Sequence, residues 1–219
     1  GQDQPAYLGA GDAIEKNAAY HAWRGIFWDL FELDSAPDAE PPGAGRLSSG
    51  QRKLVFDRLQ TAVPDKEHLA PLLNVVLPTD LPDNDLTAQM TGEVRAGNIQ
   101  DLLIALLETK AAGSPLLLIV ENAHWLDSAS WALTRLVSRD IPKLLLVIAT
   151  RPLADPLPSE YSALLARTNT EHLALSTLPP GDTLQRVHLR LGVEELPEAV
   201  EELLLEKAGG HPFFSEELA

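Results

Sequence analysis

Leu116-Leu117-Leu118-Ile119-Val120-Glu121-Asn122-Ala123-His124-Trp125-Leu126-Asp127 runs from an unbroken aliphatic stretch into an acidic turn. It follows a break at Gly113-Ser114-Pro115. The aliphatic part, Leu116–Val120, shows no apolar–polar alternation, so both faces of the strand it predicts need apolar neighbours. That suits a central parallel strand covered by helices. In open parallel sheets, ligands bind beyond the carboxyl ends of the strands. Glu121 stands at that end, where a carboxylate can hold Mg²⁺, a cation that takes oxygen ligands. A second acid beside it would polarise the water that attacks a phosphoanhydride. The next residue here is Asn122, whose amide can orient water but cannot take its proton.

Working outward, Leu144–Thr150 is a second buried run, and Arg151-Pro152 follows it. A hydroxyl and a guanidinium therefore emerge at the end of a neighbouring strand, and arginine suits bidentate phosphate contacts. His172–Leu178 alternates weakly and is expected as a third core strand; Tyr7–Gly9 is a short strand leading into Gly9-Ala10-Gly11-Asp12. Between the strands, helical spacing recurs at Trp23, Ile26, Phe27, Leu30 and Phe31, then at Leu54, Val55, Leu59 and Ala62 before Pro64. Leu69–Leu77 is a further short helical segment, and Ile99, Leu102, Leu103, Leu106 and Leu107 form a strong stripe. Asp127 or Ser128 can cap a helix through Leu133, Leu136 and Val137, and Ser159 one through Leu164 and Leu165. Residues 34–50, rich in Pro, Gly, Ser and acid, form a loop or linker. After a turn at Pro179–Asp182, Asp182 caps a helix that Gly192 ends. Pro197 starts a last helix with Leu196, Val200, Leu203 and Leu204 inward and its glutamates facing water, and Gly209-Gly210 stops it. The Phe213-Phe214 pair that follows is expected in the core. Strands alternating with helices predict an α/β fold with a mainly parallel sheet and a small C-terminal helical appendage.

Composition narrows the function classes. The chain has 219 residues, 45% of them apolar, enough to bury a core. Its formal net charge of −15 repels DNA and anionic membranes, and its basic groupings at Arg46–Lys53 and Arg186–Arg190 are sparse. There is no cysteine, which excludes disulfides, Cys-based zinc sites and thiol nucleophiles and fits a cytoplasmic protein. The longest apolar runs fall well short of the roughly 20 residues that cross a bilayer. His124, Asp127 and Ser128 lie too close in sequence to be assumed a hydrolase triad, and the remaining histidines lack zinc-ligand spacing. Asp80, Asp83 and Asp85 lack the glycine and terminal glutamate of a Ca²⁺ loop. The chain opens on Gly1 and its single methionine is Met90, so it is expected to be a piece of a longer protein.

Several of these motifs occur together in a specific order. They are Gly11-Asp12-Ala13-Ile14-Glu15-Lys16 with Tyr20-His21-Ala22-Trp23-Arg24 and Ile26-Phe27, then Glu121–Asp127, Thr150-Arg151-Pro152, and Gly210-His211-Pro212-Phe213-Phe214 with Glu216-Glu217-Leu218. The ordered set resembles the ATPase domain of the signal-transduction (STAND) P-loop NTPases. More narrowly, it resembles the AAA/NACHT-like ATPase region attached to class III adenylate/guanylate cyclases and to some bacterial regulators and protein kinases. The resemblance implies a P-loop NTPase-like parallel sheet over residues 1–178 and the start of a helical lid over 179–219. It implies that Glu121 is the Mg²⁺-associated acid of the Walker B strand and that Asn122 stands where a second catalytic acid is usual. Thr150 and Arg151 would be the sensor segment near the γ-phosphate, and Pro212 would pack on adenine. His124, Trp125 and Asp127 would shape the turn after the strand.

The chain departs from that pattern in one respect beyond Asn122: it has no G-x-x-x-x-G-K-[ST] loop. In the family this loop precedes the region equivalent to Gly9–Lys16, and Gly9-Ala10-Gly11 lacks the Lys-Ser/Thr needed to replace it. The expectation is thus an incomplete ATPase core. ATP and Mg²⁺ would be cofactors of the parent protein, bridging core and appendage, while this chain alone holds neither and is inactive. Its partners would be ATP, a covalently attached output domain such as a cyclase or kinase, and a second copy in a homo-oligomer, with no nucleic acid or membrane. The loss of the P-loop strand is expected to leave a gap between the two apolar strands. The alternative is a degenerate, non-catalytic scaffold or protein-interaction module.

Overall fold

A computed structural model describes residues 6–219, so the first five residues of the expected core lie outside it. The chain divides into two compact units, Gly1–Thr170 and Glu171–Ala219. The first holds a three-stranded parallel sheet in the order β1-β2-β3: β1 is Ala6–Ala10, β2 is Leu116–Glu121 and β3 is Leu144–Ile148. Tyr7 pairs with Leu118, and Leu118 with Leu146. The α/β architecture and the parallel pairing follow the sequence pattern. The expected gap does not: β2 and β3 are direct hydrogen-bonded neighbours, and the ladder continues past them as Ala149 N–H donates to Val120 O (2.9 Å) and Ala123 N–H to Ala149 O (2.9 Å). A further strand could join only outside this pair.

The sheet is covered on one face. Tyr7, Leu116, Leu118 and Val120 point into the core. That core is filled by α1 (Trp23–Leu30), α2 (Ser49–Ala62), α3 (Gly92–Gly113) and α4 (Ser128–Asp140). The period-2 register places Leu8, Leu117, Ile119, Leu145 and Val147 on the other face. There Leu8 is 47% exposed, Leu145 62% and Val147 42%. The expected Leu144–Thr150 run therefore forms a strand over Leu144–Ile148, but that strand is only half-buried: Leu144, Leu146 and Ile148 pack against the core, and no helix among the described residues of this unit covers Leu145 and Val147.

α1 approaches β1 closely because two glycines allow it: a Cβ on Gly9 would lie 2.1 Å from Ala22 O, and one on Gly25 would lie 2.8 Å from Leu8 O. α2 starts in a capping box, Ser48 accepting from Gln51 N–H while Gln51 Oε1 accepts from Ser48 N–H (3.0 Å). The buried Gln51 amide also donates to Leu33 O and Glu40 O, which ties the 34–50 loop to the helix. Pro64–Val75 is 3₁₀ rather than α-helical, with Pro71 inside it. A short helix, α5 (Ser159–Leu165), packs on α4 and ends the unit.

The second unit carries α6 (Pro180–Leu191), α7 (Glu198–Ala208) and α8 (Pro212–Glu217). His172–Leu178 is not a strand, and all of it but Leu178 is exposed. Its leucines Leu173 and Leu175 find no neighbour to cover them and stand 74% and 96% exposed. Pro179, not Asp182, occupies the N-cap of α6, and Asp182 lies in its first turn. Gly192 and Gly209 cap the C-termini of α6 and α7 with φ of 70° and 55°, and Gly210 continues the turn at 75°. The core of this unit is small, comprising Thr183, Val187, Leu204, Ala208 and Ser215. Val200, Leu203 and the Phe213–Phe214 pair, expected inward, are exposed.

Candidate functional site: the carboxyl edge of the sheet

Three chain segments leave the carboxyl ends of β1, β2 and β3 side by side. Gly11 N–H donates to Glu121 O (2.8 Å), joining the first two. A Cβ on Gly11 would lie 2.5 Å from Asn122 O and 3.1 Å from Trp125 Cβ, so glycine is what permits the contact. Asp12 then turns the chain: its Oδ1 accepts from Ile14 N–H (2.7 Å) and Glu15 N–H (3.2 Å). These bonds hold the Asp12 carboxyl below the usual aspartate range. They also occupy the Ile14 and Glu15 N–H groups, so Asp12 fixes the conformation of this turn. Lys16 Nζ lies 5.9 Å from the centre of the Trp125 ring.

At the end of β2, Glu121 is exposed and makes no ion pair among the described residues. Asn122 adopts the left-handed conformation (φ 51°, ψ 38°) and starts a single 3₁₀ turn, Ala123–Trp125. Asparagine tolerates that region better than most residues. Asp127 closes the turn and caps α4, accepting from Ser130 N–H (2.9 Å) and Ser130 Oγ (2.5 Å). It also accepts from Tyr20 N–H (3.3 Å), at a residue with φ 59°. Trp23 Nε1 donates to Ser130 O (3.4 Å). Asp127 is thus a joint between the β1–α1 connection and α4. Burial pushes the Tyr20 phenol above its ordinary range. His21 Nδ1 and His124 Nδ1 are shielded from water without a hydrogen-bond partner. Neither nitrogen carries a signal in the sequence.

Beyond β3, Thr150 Oγ1 donates to Arg151 O (2.8 Å), and Arg151 is exposed with no ion pair among the described residues. Glu121, Asn122, Thr150 and Arg151 therefore share one edge of one unit. Pro212 belongs to the other unit, half-buried at the first position of α8. Next to it the His211 ring lies 4.7 Å from that of Phe214, tilted by 37°. Gly210 lets Leu178 approach, since its Cβ would lie 2.5 Å from Leu178 O, and Leu178 N–H donates to Gly210 O (2.7 Å).

The donor set fits ATP–Mg²⁺ in part. Glu121 offers free carboxylate oxygens of the kind Mg²⁺ takes, and Arg151 offers a free guanidinium for phosphate oxygens. A backbone phosphate cradle is lacking among the described residues, and Thr150 has its hydroxyl proton committed.

No family model matches the chain, and no solved structure matches it. The chain is similar to adenylate cyclase type 10 of Rattus norvegicus, at 25% identity over 162 residues. That match covers 74% of this chain and 10% of the relative. The same protein of Oryctolagus cuniculus is 25% identical over the same length, and that of Homo sapiens 22% over 147 residues. The chain spans about a tenth of the length of the curated relatives it matches. Among the described residues, no helix is long and apolar enough to cross a membrane.

Proposed function

We propose that this chain is the carboxyl-edge half of a STAND-type P-loop ATPase domain that regulates a signalling output, a nucleotide cyclase being the first candidate. The carrying observation is that Glu121, the last residue of β2, and Thr150-Arg151, just past the end of the adjacent parallel β3, share one sheet edge, with the charged groups of Glu121 and Arg151 unpaired among the described residues. On this reading Glu121 would hold Mg²⁺ and Arg151 would take a phosphate. The metal, when bound, neutralises phosphate charge. Asp127 and Gly11 fix the turn that carries Glu121. The uncovered apolar face and the open edge of β3 also support the reading, since parallel sheets are covered on both faces. A phosphate loop and its strand would come from another part of the polypeptide. The distant similarity to adenylate cyclase type 10 supports the signalling context.

The test is ATP affinity of the full-length encoded protein. Arg151→Ala weakens Mg–ATP binding by about tenfold or more, the worth of one charge-assisted phosphate contact. Glu121→Gln removes the Mg²⁺ dependence of binding. Affinity unchanged by both substitutions would sink the proposal.

A second reading, a non-catalytic scaffold, is favoured by one observation: the left-handed backbone at Asn122 accounts for asparagine without chemistry. The two readings separate on Asn122→Asp in the full-length protein. A gain in ATP turnover supports the ATPase, and absence of turnover in both forms supports the scaffold.

A further inference from the structure

At the opposite end of β2 from Glu121, a groove of about 390 Å³ opens between the ends of α1, α2 and α3. Its volume lies within the roughly 300–1,000 Å³ typical of small-ligand sites. Leu30, Phe31 and Leu106, all buried, form an apolar floor. Arg58 of α2 and Lys110 of α3 line it as well, two cations converging in a chain of net charge −15. An apolar floor with a few convergent polar groups is the usual make-up of a small-molecule site.

The cations already hold a carboxylate. Glu32 pairs through Oε2 with Arg58 Nη2 and through Oε1 with Lys110 Nζ (3.8 Å). Each oxygen thus faces one cation. Glu32 reaches them from the left-handed residue that follows α1 (φ 51°, ψ 44°), a position where glycine is usual. Its side chain is 50% exposed, so it can swing into water without leaving a packed hole. Arg58 Nε is shielded from solvent and has no hydrogen-bond partner, which leaves one guanidinium donor unused by Glu32. The two cations that line the groove therefore match a carboxylate, and the one they now hold, on Glu32 beside the groove, is exchangeable.

We propose that this groove binds a small monocarboxylate with an apolar tail, the head displacing Glu32 between Arg58 and Lys110 and the tail lying on Leu30, Phe31 and Leu106. Glu32 then acts as an internal competitor that sets the affinity. Inorganic phosphate is disfavoured because it would leave the apolar floor wet.

The experiment is titration of octanoate into the chain, followed by amide and methyl NMR, with octanamide as the neutral control. Octanoate is expected to bind saturably with shifts at Arg58, Leu106 and Lys110. Glu32→Gln tightens it about tenfold by removing the competing charge, and Arg58→Gln weakens it by a similar factor. Octanamide binds at least about tenfold more weakly. Spectra first establish that each variant is folded, and Lys110→Gln replaces Arg58→Gln if the latter is not. Octanoate that fails to saturate in both wild type and Glu32→Gln, or octanamide that binds equally well, would overturn the proposal.

Discussion

Asp127 shows how one side chain can join segments far apart in sequence. Its carboxylate satisfies the first turn of α4 through Ser130 N–H, takes the Ser130 hydroxyl, and also takes Tyr20 N–H from the β1–α1 connection. Removing an N-cap of this kind costs about 1–2 kcal/mol, and Asp127 carries an extra tertiary bond. Asp127→Ala is expected to lower unfolding free energy by roughly 2 kcal/mol in urea, with Asp127→Asn losing less. A loss below about 0.5 kcal/mol would show that the joint is not used. Asp38 makes a comparable knot on the surface. It accepts from Gly50 N–H, Ser48 Oγ and Ser49 Oγ, and these bonds hold its carboxyl below the ordinary aspartate range. A depressed folded-state value means that the stabilisation is present above the unfolded value and is lost as pH falls through the folded one. NMR titration should therefore find Asp38 still ionised where free aspartate is half protonated, and Asp38→Asn should abolish that part of the acid-side loss of stability. Of these two residues the sequence marks only Asp127 as a candidate cap, alongside Ser128, because Asp or Ser before a helical stripe is a local signal. The role of Asp38 depends on partners ten and more positions away and had no such signal.

At the scale of elements, the strands were legible where they are continuous apolar runs and the helices where their stripes are strong. β2, β3, α1 and α3 follow from these signals. The errors share a cause. Apolar content predicts burial at Val147, Val200 and Phe213, yet an apolar residue is buried only where another element covers it, and all three are exposed. His172–Leu178 failed as a strand for the same reason. The glycines show the reverse case: Gly9 and Gly11 lack the Lys-Ser/Thr of a phosphate loop and carry no other signal in the sequence, whereas the fold uses them for close approach to Ala22 and Asn122. Gly9→Ala would bring a methyl to 2.1 Å from Ala22 O, and backbone cannot yield as a side chain can. We expect α1 to be displaced from β1 at a cost of about 1–3 kcal/mol, with the thermal midpoint lowered by several degrees. Gly97→Ala, where a Cβ meets nothing within 4 Å, is the control and should be neutral or stabilising.

At the scale of the molecule, two features point outward. The sheet has an apolar face with Leu8, Leu145 and Val147 exposed, and its carboxyl edge carries an acid and an arginine that answer to nothing else among the described residues. The candidate edge was legible because strand-end residues can be read from where apolar runs stop. The pairing order was not, since nothing local in a parallel strand names its neighbour, and the direct contact of β2 with β3 overturned the expected gap. On the proposed reading the chain supplies the metal and sensor side of a nucleotide site, while the phosphate cradle lies elsewhere in the polypeptide. Calorimetric titration of Mg–ATP into this chain and, in parallel, into the full-length protein tests that division most directly. The account predicts micromolar binding to the full-length protein and at least about a hundredfold weaker binding to the chain alone. Equal affinity in the two, or no binding by the full-length protein, would contradict it.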